Sequence, residues 1–178
     1  MQTKSVDDWS QNSLDDSGHP TNLVIGLGNP ILGDDAIGWR IAEQVQRCLD
    51  TNCSTNLNSR IEVDTLAVGG LTLMERMIGY KQAIIIDAIF TGNSAAGTVS
   101  CCSLEEFPEQ ALGHLCSAHD TTLQNALRVG KAMGATLPDS IYVIGIETIP
   151  NYEFSEDLSP QIEKSITLAV ETVMELIS

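Results

Sequence analysis

The sequence predicts an α/β fold, a doubly wound and mostly parallel sheet with helices on both faces. Two observations carry this expectation. Strand-length apolar runs alternate with stretches of helical periodicity in the order βαβαββαβα, and such alternation builds parallel sheets through crossover helices. The runs at 23–27, 83–87 and 140–146 are also mostly apolar throughout, as strands buried on both faces are. No internal repeat or second domain is evident, so residues 21–178 are expected to form one domain. Residues 1–20 are polar and aperiodic and are expected to be a disordered lead.

Each element has its own signal. Leu23, Val24, Ile25 and Leu27 form the first strand, ended by Gly28, Asn29 and Pro30. Helical spacing follows at Ile37, Ile41, Val45 and Leu49, with Arg40, Glu43, Gln44 and Arg47 turned elsewhere. Asp34 suits the N-cap of that helix and Asp35 its first turn. A polar loop at 50–59 leads to a second strand at 60–66, where period-two alternation returns. Gly69 and Gly70 break the chain before a short helix at 71–78, its apolar side formed by Leu73, Met74, Met77 and Ile78. The β-branched run 83–87 stops at Asp87, and 97–103 is a weaker strand suited to a sheet edge. Residues 105–113 are acidic and irregular. A helix after 117–120 has apolar positions at Leu123, Ala126, Leu127 and Met133. The strand 140–146 and a loop at 148–157 precede the last helix, opened by Ser159 and Pro160. Its apolar positions are Ile162, Ile166, Ala169, Val170, Val173 and Ile177.

Composition narrows the function. The chain has 178 residues, 43% hydrophobic and 19% charged, which is globular rather than disordered composition. Nine Lys and Arg against 24 Asp and Glu give a formal net charge of -15. Nucleic acid and anionic membrane surfaces both require clustered cations, so neither is an expected partner. No apolar run reaches the roughly 20 residues of a membrane span. The N-terminal stretch lacks the apolar core of a signal peptide. With five Cys, an odd count, the expectation is a cytoplasmic protein with reduced thiols.

The glycine turn is the first candidate for chemistry. Gly26-Leu27-Gly28 is like the start of a dinucleotide fingerprint, but Ile31 stands where the third glycine belongs. Asp34 and Asp35 hold the helix entrance, where pyrophosphate needs amides and no negative charge. No Gly-Lys-Ser/Thr is present, which excludes a P-loop. The same two acids suit a cation. Asp87 ends a central strand and should emerge at the sheet edge that carries Asp35, where open α/β sheets build their sites. Taken alone, Asp87 could equally bind a loop amide, and His119, at a loop-to-helix junction, could equally be a surface or capping residue. Together Asp35, Asp87 and His119 make a two-carboxylate, one-imidazole set suited to borderline divalent ions such as nickel or zinc.

Other constellations are poorer. Cys116 and His119 have ligand-like spacing but no second Cys pair completes a structural zinc site. Cys101 and Cys102 are adjacent in a strand and so face opposite ways. Cys48 falls beside the apolar side of a helix. No thiol stands at a strand-to-helix turn as a Cys-His protease needs, and no Gly-x-Ser-x-Gly occurs. His19 and His114 receive no role.

The segment GLGNPILGDDAIGWRIAE resembles the opening of the hydrogenase maturation endopeptidases, which process the large subunit of nickel–iron hydrogenases. The resemblance continues in order with IIIDAI at 84–89, SAHD at 117–120, VIGIE at 143–147 and EDLSPQIEKSI near the C-terminus, and covers about residues 22–177. It implies a three-layer arrangement, a five-stranded twisted sheet between helices, of the phosphorylase/hydrolase-like kind. It also implies removal of a C-terminal extension from the large-subunit precursor after nickel insertion. The family's metal-binding and catalytic residues fall on Asp35, Asp87 and His119. The nickel is then supplied by the substrate, with zinc or cadmium as stand-ins in crystals and no organic cofactor. Many relatives carry Glu at the Asp35 position, and many carry an Asp-Gly-Gly-Thr-like loop where this chain has 64–70, leaving Asp64 a possible supporting carboxylate. The expected partner is the hydrogenase large-subunit precursor, met by a monomer.

Two other functions compete. Gly26-Leu27-Gly28-Asn29-Pro30 also resembles the start of peptidyl-tRNA hydrolase, but the Thr-Arg-His-Asn segment of that family is replaced here by Asp34 and Asp35. A non-catalytic chaperone for the hydrogenase precursor is the second.

Overall fold

The computed structural model describes residues 20–51, 60–107, 122–150 and 154–178. The apolar runs become β1 (Asn22–Leu27), β3 (Gln82–Ile89) and β5 (Ser140–Glu147), and the alternating run becomes β2 (Ile61–Leu66). The weaker run is β4 (Val99–Ser103). These five strands make one sheet in the order β2-β1-β3-β5-β4. All neighbours are parallel except β4, which runs antiparallel to β5 at the edge, as its weak signal suggested. The mostly parallel α/β expectation is met.

Helices cover both faces. A single 3-10 turn, Gly33–Ala36, leads into α1 (Ile37–Thr51), and α2 (Gly70–Arg76) and α3 (Leu123–Ala132) follow along the chain. The C-terminal part holds α4 (Pro160–Glu163) and α5 (Ile166–Ile177). Alternation along each strand divides the core. Val24, Ile84, Ile86, Ile144 and Ile146 face α1 and α5, while Leu23, Ile25, Ile85, Ile89 and Val143 face α2 and α3. α1 buries Ile37, Ile41, Val45 and Leu49, the predicted stripe. Each such side chain contributes roughly 1.5–3 kcal/mol, so this stripe alone fixes α1 to the sheet.

Four local expectations are corrected. Asp34 does not cap α1: the first turn is 3-10, its N-cap is Leu32, and no side chain caps it. Both aspartates are engaged elsewhere, as described below. Ile78 is exposed because α2 ends at Arg76 and Gly79 then takes a left-handed φ of 93°. Met133 is exposed too, since α3 closes in a Schellman motif. There Gly134 and Ala135 N–H donate to the carbonyls of Lys131 and Gly130 (3.1 and 3.0 Å). Finally, the last helix is two segments. The buried Ser165 hydroxyl donates to the Ile162 carbonyl (2.6 Å), competing with the helical ladder at that point.

Candidate active site at the carboxyl edge of the sheet

β1 connects to β2 on one side through α1, whereas β3 lies on its other side. The winding reverses between β1 and β3, and at such a switch point a crevice opens beyond the carboxyl ends of the strands. Asp35 follows β1, and Asp87 is the sixth residue of β3.

Glycine makes the turn after β1 possible. Gly28 has φ 136°, and a Cβ there would lie 1.9 Å from the Asp35 carbonyl oxygen. A Cβ on Gly38 would lie 2.2 Å from the Leu27 oxygen and 2.5 Å from the Ile86 oxygen. The entrance of α1 therefore rests backbone on backbone against the ends of β1 and β3. Within this turn the Asn29 N–H donates to Asp35 Oδ2 (2.8 Å), which fixes the carboxylate direction. Asp34 reaches across the fold, where its Oδ1 accepts from the Ser159 N–H (2.6 Å), just before α4. The predicted division of labour therefore changes in detail: Asp34 is a long-range tether, and Asp35 is held by its own loop.

Asp87 shares the face of Ile85 and Ile89, toward α2 and α3, and is 0% exposed. A carboxylate at that depth costs several kcal/mol unless compensated, and such groups concentrate at functional sites. The 3-10 turn packs against β3, which brings the elements of the two acids together. His119, Cys116, His114 and His19 lie outside the described residues. Among the described residues no three His, Cys, Asp or Glu side chains form a metal-binding group.

Asp64 stands apart from this crevice. It pairs with Ile25 in mid-strand, and its Oδ2 accepts from Arg76 Nε (2.7 Å). Arg76 also pairs with Glu62 and donates to Tyr80 Oη (2.8 Å), and Tyr80 in turn donates to Glu62 Oε2 (2.6 Å). The network ties α2 to the edge strand β2, so a supporting role for Asp64 at the site finds no backing. The two thiols of β4 are also poor candidates for chemistry. Burial pushes the Cys101 thiol up. Burial, then the neighbouring Cys101 and Glu106, does the same for Cys102. A raised thiol is a weak nucleophile at neutral pH.

Comparison with known proteins decides the family. The model of the family described as hydrogenase maturation protease matches residues 62–176. The hydrogenase 2 maturation protease of Escherichia coli strain K12 is 31% identical over 154 residues, covering 85% of this chain and 87% of the relative. The chain belongs to the hydrogenase maturation protease family.

The HupD hydrogenase expression/formation protein of Thiocapsa roseopersicina is 26% identical over 89% of this chain and 68% of its own length. Among solved structures, the hydrogenase maturating endopeptidase HybD from E. coli superposes with a TM-score of 0.63 at 25% identity, covering 88% and 91% of the two chains. A Thermococcus kodakarensis HybD shares the fold with a TM-score of 0.62 at 24% identity. The chain is thus a peptidase of hydrogenase maturation. Neither the peptidyl-tRNA hydrolase reading nor the non-catalytic chaperone survives. The family match spans Asp87 and His119 and begins after Asp35. No helix among the described residues is long and apolar enough to cross a membrane.

One buried acid escaped the sequence reading. Glu147 ends β5 and is 3% exposed. Its signal was an apolar strand that stops on a carboxylate, the same signal that singled out Asp87.

Proposed function

We propose that this protease removes the C-terminal extension of a nickel–iron hydrogenase large-subunit precursor after nickel insertion, and that it recognises the nickel already in the precursor. Asp35, Asp87 and His119 bind that ion. The reading is supported by the placement of Asp87: β3 does not stop there, as the sequence suggests, but runs on to Ile89, which leaves Asp87 a fully buried carboxylate two residues before the strand end that flanks the switch point, beside the turn holding Asp35. Two carboxylates drawn toward one crevice repel each other unless a cation joins them. Two oxygen donors and one imidazole suit a borderline divalent ion. Because the enzyme's ligands meet an ion that the substrate carries, an empty precursor lacks part of its own recognition element, and cleavage waits for the metal. Hydrolysis then requires a polarised carbonyl and an activated water, which the substrate ion and an adjacent carboxylate can supply between them.

The test is a mass measurement of nickel-loaded and nickel-free precursor incubated with wild type, Asp35→Asn, Asp87→Asn and His119→Ala. Wild type should shorten only the loaded precursor, and each variant should lose at least about a hundredfold in rate. Equal cleavage of both precursors rejects metal gating. Full activity in all three variants rejects the site.

A further inference from the structure

Glu147 gives both carboxylate oxygens to the loop that leaves β3, the strand of Asp87. Oε1 accepts from the N–H groups of Thr91 (2.8 Å) and Gly92 (2.9 Å), and Oε2 accepts from Thr91 Oγ1 (2.8 Å). The Thr148 N–H donates to the Ile89 carbonyl (2.7 Å) and closes the same junction. Three bonds to one buried carboxylate make a firm clasp. What the clasp presents is apolar and left in water: Phe90 is 53% exposed and Ile149 65%. The sequence holds only three Phe, and a second, Phe154, is 81% exposed on the loop after β5. Its neighbour Ser155 is bonded to Ile31 of the turn after β1. Large apolar groups left exposed where β3 and β5 end mark a surface that a partner covers.

Ile149 also lines a cavity of about 480 Å³, walled by Ala96, Pro150 and Pro160 and by Asp34. No Lys or Arg lines it. A second copy of this chain is a poor occupant, because two molecules of charge -15 repel each other. An apolar stretch carrying a positive charge complements it. We propose that Phe90 and Ile149 form a docking lip for the hydrogenase precursor. The cavity takes an apolar, cationic stretch of that precursor, and Glu147 is the positioning residue that holds the lip in place. This rests on the reading of the chain as the precursor's endopeptidase.

Binding of nickel-loaded precursor, followed by calorimetry, and its cleavage are measured separately for wild type, Phe90→Ala, Ile149→Ala, Asp34→Asn, Glu147→Gln and Glu147→Ala. The two lip variants should bind about tenfold more weakly, with KM raised, kcat kept and Tm unchanged. Asp34→Asn keeps the acceptor for Ser159 and should lose part of the salt dependence of binding. Glu147→Ala should raise KM as the lip variants do, with Glu147→Gln between it and wild type. Unchanged affinity in both lip variants overturns the lip. A Glu147→Ala protein whose Tm falls while KM stays put overturns the positioning role. Wild type that binds through the lip without shortening the precursor overturns the protease reading and leaves the lip standing.

Discussion

At Gly38 the ordinary helix propensity changes sign. Ala in a helix interior is usually about 1 kcal/mol better than Gly, yet here its methyl would lie 2.2 Å from the Leu27 oxygen and 2.5 Å from the Ile86 oxygen. Gly38→Ala is therefore expected to destabilise by about 2 kcal/mol or more, seen as a lower denaturant midpoint at unchanged slope. Because the same contact sets the turn of Asp35, cleavage should fall beyond what the stability loss explains. Asp35 and Asp87 stand out in the sequence as acids at a turn and after a buried run, and the structure places them in the turn after β1 and two residues before the end of β3. The role of Asp34 was not: its partner, the Ser159 amide, is 125 residues away, and no local pattern announces a pairing at that separation. Glu147 carried the right signal, but the loop it holds is defined only in three dimensions.

Among the elements, the α2–β2 junction has a pH dependence of its own. Burial, together with the Glu62 carboxylate and against the Arg76 guanidinium, pushes the Tyr80 phenol above its ordinary value. The folded protein thus keeps that proton to higher pH than the unfolded chain does. The resulting stability is present below about pH 10, the unfolded value, and is lost as pH rises through the raised folded value. Denaturant titrations between neutral and strongly alkaline pH should show this loss in wild type and a flatter profile in Tyr80→Phe. The elements themselves were mostly legible, since α1, the buried strands and the edge strand follow from periodicity. Their ends were not. The Ser165 hydroxyl breaks the last helix, and Gly134 stops α3 before Met133. Both depend on backbone bonds that competing conformations could satisfy equally well from sequence.

For the molecule as a whole, a net charge of -15 over 178 residues works against compactness. Raising ionic strength from about 10 mM to about 150 mM screens that repulsion and should lift Tm by a few degrees, read by a thermal melt. The doubly wound sheet was legible because strand and helix alternate, and a parallel sheet covered on both faces is what such alternation can close into. That closure puts helices in two layers, one on each face of the sheet, and the two acids of the proposed site come from different ones. Asp35 belongs to the turn that opens α1, while Asp87 faces α2 and α3. Whatever joins them acts as a rivet through the end of the sheet. Bound precursor should therefore slow hydrogen exchange in α1 and in α2 together, although the sheet lies between them. A ligand gripping only one acid should quieten one layer and leave the other as it was.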